Sequence, residues 1–197
     1  GLIMALVLNG STNTIGGLAV GGLPDGTVDA DTLAAGVGGK FASYAIIADV
    51  KSNATNGGTF SSGDWRTRDL NTEISDADGI TSISSNQFTL AAGTYLIKFS
   101  APAFNTNANQ ARLYNATTST AVQVAQAAFV NGASGHVQTS SVGSARVTIS
   151  GSTAFEIQHR CNSTSATYGF GVSSNYSTDV IYTLVEIFKE ASWVVLN

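Results

Sequence analysis

From residue 41 onward the chain consists of short runs in which hydrophobic and polar positions alternate. Gly, Asn and Ser clusters separate the runs, and the periodicity of an amphipathic helix is absent. Alternation by two is typical of β-strands, whose side chains point to opposite faces in turn. The runs are 44–50, 65–72, 87–90, 94–101, 111–115, 121–130, 144–150, 154–161 and 180–189. They predict about eight or nine strands, the number that a two-sheet jelly roll needs.

Two runs, 44–50 and 180–189, are apolar on both faces. In the second run Ile181, Val185 and Ile187 line one face, whereas Val180, Tyr182, Leu184 and Phe188 line the other. A sandwich strand has one face against the core, so a second apolar face must be covered by another chain or left exposed, which soluble proteins seldom tolerate. The pattern therefore predicts an oligomer. The interface candidates are Ile46, Ile47, Tyr182, Leu184, Phe188 and Trp193.

The two terminal segments differ from the region between them. Residues 1–40 are rich in Gly and turn residues and are too few to bury a core of their own, so we interpret them as an extended connector or docking arm. Residues 41–190 form the knob domain, and 191–197 form an apolar tail. The apolar stretch at the start of the chain is much shorter than the roughly 20 residues of a membrane span, so we expect no membrane insertion.

The amino-acid composition limits the kinds of function that we expect for this chain. Charged residues are 11% of the 197 positions, hydrophobic residues are 43%, and the net charge is −4 without any Lys/Arg cluster. We therefore expect a folded chain that does not bind nucleic acid. Cys161 is the single cysteine, which excludes an intrachain disulfide and predicts a small buried side chain.

Catalytic and metal-binding patterns are poor. The two histidines are His136 and His159, and the segment "GASGH" lacks the G-x-S-x-G pattern and the strand–helix context of a serine hydrolase. His159 lies on the apolar face of its strand, which favours a hydrogen-bonded core or interface histidine. Asp76 and Asp78 have the spacing of a calcium loop without its final Glu, so we favour a solvated turn. We expect no enzyme, no cofactor and no metal.

The loop 162–179 has the chemistry most typical of a binding surface. Tyr168, Phe170 and Tyr176 are separated by Gly, Ser and Asn, a mixture that offers flat apolar faces beside hydrogen-bonding groups. The alternative is that Tyr168 and Phe170 belong to a strand and pack within the oligomer. In the polar loop 105–110, Asn107 and Asn109 either contact a receptor or cap the sandwich.

Two arginines follow Trp65 in the run "RTRDLNT". Arg66 and Arg68 share one strand face there, which predicts a packed aromatic side chain beside a surface row of ion pairs.

Several motifs resemble known families. The order of "AAGTYLIKFSA", "SSVGSARVTIS", "STAFEIQHRC" and "YTLVEIFKE" is similar to the C1q/TNF jelly roll. The segments "GTFSSGDWRTRDLNT", "ARLYN", "ISGSTAFEIQHRC" and "YTLVEIFKE" resemble a C-terminal domain of phage tail-fibre and virion structural proteins. This resemblance covers residues 44–190 and implies a homotrimer. The connector also resembles segments near the virion-proximal end of phage fibres, which implies contacts with other virion proteins.

The resemblance implies a location at the virion surface and two structural roles. The first is a trimeric tail-fibre or spike knob that attaches to a host-surface glycan or protein. The second is a capsid decoration or head-fibre protein without receptor binding. A third hypothesis is a polysaccharide hydrolase. Such an enzyme requires a pair of carboxylates around the scissile bond, and the knob sequence offers no obvious pair.

Overall fold

The computed structural model describes residues 7–9, 14–16, 40–131 and 136–191. The strands are β1 (Val7–Asn9), β2 (Thr14–Gly16), β3 (Phe41–Lys51), β4 (Arg66–Thr67), β5 (Thr72–Ser75), β6 (Thr81–Ser84), β7 (Gln87–Leu90), β8 (Gly93–Phe104), β9 (Asn109–Asn115), β10 (Thr120–Val124), β11 (Gln138–Ile149), β12 (Thr153–Cys161) and β13 (Val180–Glu190). Strands β1 and β2 pair with each other as an antiparallel hairpin. No helix that could cross a membrane occurs within these four ranges.

Strands β3 to β13 form two antiparallel sheets. The first sheet has the order β11-β8-β13-β3-β5, and the second has the order β10-β9-β12-β7-β6, with β4 also pairing with β12. Neighbours in each sheet are mostly distant in sequence, as the long connections of a jelly roll require. The predicted all-β jelly-roll fold is therefore confirmed for the knob.

Alternating side chains of the two sheets meet in one core. Its largest members include Phe88, Tyr95, Leu113, Phe155 and Ile157, which are fully buried. A second cluster contains Phe60, Ala103 and Cys161, with Phe170 packed against it. Burial of Cys161 agrees with the prediction from sequence.

The segment 65–72 was predicted as one strand, and this prediction is wrong. After the short strand β4 the chain leaves β12 and reaches β3, where β5 begins beyond Asn71. The amide of Arg68 still donates to Ile157 O at 2.8 Å, whereas that of Asn71 donates to Ala48 O at 3.0 Å. The segment therefore crosses from one sheet to the other, and periodicity alone does not reveal such a crossing.

Strand β13 contains a bulge that changes which of its residues face outward. Between Ile181 and Leu184 it has one residue more than the paired stretch Val50 to Ala48 of β3. As a result Tyr182 is buried, whereas Ile181 is exposed. The assignment of Tyr182 to an oligomer interface is corrected, because its ring lies inside the subunit.

The assignment of Ile47 to the interface is corrected for a simpler reason. Its side chain is fully buried in the core between the two sheets, next to Val185 in the paired strand. A side chain without exposed surface in the subunit cannot contact a second chain.

The knob has two distinct ends. The register pairs Lys51 with Val180 and Phe104 with Gln138, so the loops that follow β3, β8 and β12 share one end. At the opposite end the amide of Ala191 donates to Lys40 O at 3.0 Å. The chain therefore enters and leaves the knob at the end opposite to those loops.

Candidate functional site

The loop end of the knob consists mainly of the segments 52–65, 105–108 and 162–179. Backbone hydrogen bonds join them: Phe60 N to Ser165 O at 3.0 Å, Phe104 N to Gly169 O at 3.0 Å, and Ser163 N to Thr106 O at 3.1 Å. The loops thus form one hydrogen-bonded surface, although none of the three segments is itself a strand.

Gly171 allows the closest approach within this surface. Its φ is 134°, a conformation that other residues rarely adopt, and a Cβ placed there would overlap the ring of Tyr182. Its carbonyl accepts the amide of Gly57 at 2.8 Å. The hydroxyl of Tyr182 donates to Thr55 O at 2.7 Å, so the buried tyrosine supports two of the loops.

Arg68 holds the loop end from beneath and has no exposed surface. Its guanidinium donates to Thr183 Oγ1 at 2.8 Å, to Pro102 O at 3.1 Å and to Phe170 O at 2.8 Å. The guanidinium carbon also lies 4.1 Å from the centroid of the Phe170 ring. One buried side chain therefore ties β8, β13 and the loop 162–179 together.

Two carboxylates act on the charge of Arg68. Burial lowers the pKa of the guanidinium to about 9, while the carboxylates of Asp49 and Asp69 act in the opposite direction. The side chain is thus charged at neutral pH. The predicted surface row of ion pairs is wrong for Arg68, whereas Arg66 is exposed and donates to Ser61 O at 3.3 Å.

The predicted receptor-binding residues lie at different depths. Tyr176 is 80% exposed and Tyr168 is 43% exposed, so both are available to a partner. The ring of Phe170 packs on Phe60, with centroids 4.5 Å apart, and contributes little outer surface. The alternative prediction that Tyr168 and Phe170 belong to a strand is wrong, since both lie in the loop between β12 and β13.

The two asparagines of the loop 105–110 have internal roles. Asn107 adopts a φ of 58° and donates to Ser163 Oγ at 2.8 Å. Asn109 is 3% exposed, and its amide donates to Thr139 Oγ1 at 2.9 Å. The assignment of Asn109 to receptor contact is therefore corrected.

Sequence reasoning missed two aromatic residues, the buried Phe104 and the exposed Phe129. The ring of Phe104 lies 6.0 Å from that of Tyr168 and 5.9 Å from that of His136. Phe129 is 71% exposed. The run 121–130 was predicted as one strand, which concealed Phe129, but β10 ends at Val124.

The outer face of the sheet β11-β8-β13-β3-β5 carries a row of apolar side chains that joins Tyr44, Phe188 and Leu96. A second row joins the fully buried Ala48, the partly exposed Leu184 and Ser100. Between these rows lies the ion pair of Lys98 and Glu186, with Nζ 3.2 Å from Oε2. Ile46 pairs with Glu186 in the same middle row. Of the predicted interface residues, Ile46, Leu184 and Phe188 therefore share this outer face, and Trp193 lies outside the described residues.

The outer face of the second sheet is polar. The Arg112 guanidinium lies 4.0 Å from the Trp65 ring and 4.9 Å from the Tyr114 ring. It donates to Gln158, whose amide in turn donates to the buried carboxylate of Glu156.

The Asp76 carboxylate is used within its own turn. Its two oxygens accept the amides of Ile80 and Thr81 at 2.8 and 2.9 Å. In the part of the chain that the structure describes, no three His, Cys, Asp or Glu side chains are grouped as metal ligands.

Solved structures that are similar to this chain include C1q and TNF proteins and a vertex protein. The chain is similar to the globular domain of zebrafish complement 1qA protein, with 15% identity and a TM-score of 0.48 over 74% of this chain and 94% of that one. It is also similar to Eiger TNF from S. frugiperda, with 10% identity and a TM-score of 0.49 over 78% and 96% of the two chains. For PRD1 vertex protein P5 the identity is 16% and the TM-score 0.45, over 78% and 100%.

Each of these TM-scores is below 0.5, so the fold assignment rests on the two-sheet topology described above. No protein-family model matches the chain. No curated protein matches it either.

His159 and Cys161, the two side chains beneath the loop end with acid–base or nucleophilic chemistry, are buried. His159 Nε2 lies 3.0 Å from Asn109 Oδ1, and its ring packs on Phe60 with centroids 4.7 Å apart. Burial, and secondly the charge of Arg68, hold the pKa of His159 well below its usual range. Burial likewise raises the pKa of the Cys161 thiol to about 11. Both groups are therefore neutral at physiological pH.

His159 makes the stability of the knob depend on pH. The unfolded chain binds a proton near the ordinary histidine pKa of 6.5, whereas the folded chain does not. Stability is therefore complete above that pKa and is lost as the pH falls below it, by about 1.4 kcal/mol per pH unit. We expect urea midpoints that decrease between pH 6.5 and 5.

The control for this prediction uses the other histidine. His159→Gln removes the dependence in that range, because glutamine remains neutral, while His136→Gln at the exposed position retains it. An unchanged pH dependence in His159→Gln would contradict the assignment.

Proposed function

We propose that this chain is a virion surface protein of a bacteriophage, in which the knob forms a homotrimer and its loop end attaches to a host-surface glycan or protein. The segment 1–40 then joins the knob to other virion proteins. The virion assignment rests on the motif resemblance over residues 44–190. The single observation that carries the binding role is that the exposed loop-end aromatics lie at the end of the knob opposite to Lys40 and Ala191.

The proposed subunit contact uses the outer face of the first sheet. Tyr44 is 53% exposed there, and its row with Phe188 and Leu96 leaves apolar surface beside the Lys98–Glu186 pair. Burial of apolar area stabilises such a contact by roughly 25 cal/mol per Å2, before the costs of association. This face is the reason to propose self-association.

A second apolar region lies where β11, at the edge of the first sheet, meets β10, at the edge of the second sheet. Val142 of β11 and Val124 of β10 are both exposed and line an open groove of about 330 Å3 with Lys98. A trimer with threefold symmetry repeats a contact between two different regions, such as a sheet face and a sheet edge. A contact between these two different surfaces is of the type that a closed ring of three subunits requires.

The geometry of the loop end favours attachment over catalysis. Tyr168 and Tyr176 offer exposed ring faces beside backbone and amide groups, an arrangement suited to holding a ligand without bond cleavage. Three copies on one face would convert weak single-site binding into strong avidity. The proposed role is therefore recognition of a repeated surface ligand.

Adsorption of the purified protein to bacterial cells tests this role. We expect the double variant Tyr168→Ala, Tyr176→Ala to lose roughly tenfold or more of the parent's adsorption, because three copies of each aromatic contact disappear from one trimer. Flow cytometry of cells with the fluorescently labelled protein measures the effect.

The matched control changes an exposed residue at the opposite end of the knob. Thr118→Ala is expected to adsorb like the parent. If the double tyrosine variant adsorbs equally well, the loop end is not the contact surface. A parent that adsorbs to no host of the phage would contradict attachment and favour the decoration role.

A further inference from the structure

A shallow groove lies on the outer side of the second sheet. Its volume is about 270 Å3, and its lining residues include Trp65, Ala108, Gln110, Ala127, Arg160 and Asn162. Closed small-molecule sites usually enclose at least about 300 Å3, so a ligand in this groove would be held from one side. The groove faces away from the sheet surface that we assign to self-association.

Three kinds of group meet in this groove. Trp65 supplies an aromatic wall, Gln110 and Asn162 supply amides, and Arg160 supplies a positive charge. Arg160 is exposed and takes part in none of the ion pairs among residues 40–131 and 136–191. Its guanidinium can therefore form a bidentate pair with an external carboxylate.

The aromatic wall is held in a fixed orientation. The Arg112 guanidinium lies 4.0 Å from the Trp65 ring centroid, and its Nε donates to Gln158 Oε1 at 2.8 Å. Gln158 in turn donates to Glu156, which is buried. A chain of contacts thus positions the ring before any ligand arrives, which reduces the entropy lost on binding.

Among the described residues, the carboxylates of Glu156 and Asp64 bond to other partners and form no ion pair with Arg160. Glu156 accepts Thr67 Oγ1 at 3.1 Å and Gln87 Nε2 at 3.0 Å in addition to Gln158. Asp64 Oδ1 accepts the Trp65 amide at 2.8 Å. The positive charge in the groove is therefore available, although the chain as a whole has a net charge of −4.

The side chain of Gln110 is held in an orientation that suits the binding of a hydroxyl group. Gln110 Nε2 donates to Ala125 O at 2.8 Å, which orients the side chain and leaves Oε1 as an acceptor. Sugar hydroxyls can donate to such an oxygen, while the apolar face of a sugar ring packs on an aromatic side chain.

We propose that this groove binds an acidic sugar, with the carboxylate on Arg160, the ring against Trp65 and hydroxyls at Gln110 and Asn162. The site borders the loop end, since Trp65, Ala108 and Asn162 belong to loop-end segments, but it contains neither Tyr168 nor Tyr176. It goes beyond the attachment role proposed above, because that role rests on those two exposed tyrosines. It assigns a carboxylate-bearing saccharide as the ligand class.

Titration calorimetry of the intact protein with two matched sugars tests the proposal. Sialyllactose carries a carboxylate and lactose does not, so we expect sialyllactose to bind at least tenfold more tightly. Arg160→Gln is expected to remove this preference, since the bidentate pair is lost. Trp65→Phe is expected to weaken both sugars, and its urea midpoint reports whether the fold is intact.

The controls separate this site from the exposed loop-end tyrosines and from general anion binding. Tyr168→Ala and Tyr176→Ala are expected to bind sialyllactose like the parent, whatever their effect on cell adsorption. Inorganic phosphate at equal concentration is expected not to displace the sugar.

Any of three results would contradict the proposed binding site. The first is no heat of binding for sialyllactose or an oligogalacturonate at concentrations up to about 10 mM, which corresponds to a very weak interaction. The second is equal affinity in Arg160→Gln, and the third is full displacement by phosphate.

Discussion

Replacing Arg68 with methionine is expected to destabilise the knob by about 3 to 5 kcal/mol, the usual cost of removing one partner from a buried charged network. The substitution leaves Pro102 O and Phe170 O without their donor and removes the charge that faces Asp49. Urea unfolding at one fixed protein concentration measures the effect. The loop 162–179 is expected to lose hydrogen-exchange protection before the sheets unfold, since its anchor is gone.

The matched control for Arg68 lies two positions earlier in the same run. Arg66 is exposed, so Arg66→Met is expected to change stability by no more than about 0.5 kcal/mol. Equal midpoints for Arg68→Met and the parent would show that the buried guanidinium is not the anchor of the loop end.

Replacing Leu184 with aspartate is expected to shift dissociation of the oligomer to concentrations roughly a hundredfold higher. The charge would lie on the outer face of the first sheet, beside the Lys98–Glu186 pair, and would lose its hydration when a second subunit packs there. Sedimentation velocity over a dilution series measures the shift.

The control for Leu184 introduces the same charge on the other sheet. Thr89 lies in β7, between the buried Phe88 and Leu90, and thus faces outward from the second sheet. Thr89→Asp is expected to dissociate over the same concentration range as the parent. A Leu184→Asp protein that sediments like the parent would exclude this sheet face from the contact.

The sequence predicts the architecture well because burial follows alternation in most strands. The run 87–90 matches β7, and the runs at 154–161 and 180–189 differ from β12 and β13 by a single residue at one end. Where the backbone departs from regular pairing, the same reasoning fails. The bulge in β13 moves Tyr182 into the subunit, and the crossing after β4 buries Arg68.

The candidate sites are less predictable because they depend on contacts between distant segments. Tyr168 and Tyr176 were found from composition, since exposed aromatic residues among Gly, Ser and Asn are typical of binding loops. The groove at Arg160 could not be found in this way. Its wall comes from Trp65 and its amide from Gln110, which the pairing of β12 with β4 and β9 brings together.

Three knobs are proposed to associate through the outer face of the first sheet. Sedimentation velocity of the parent protein over the same dilution series tests this association most directly, because association requires no ligand and no host. We predict a species of three chain masses that persists at high dilution. A parent chain that remains monomeric and folded at every concentration would contradict the claim, and with it the attachment role that depends on three copies of the loop end.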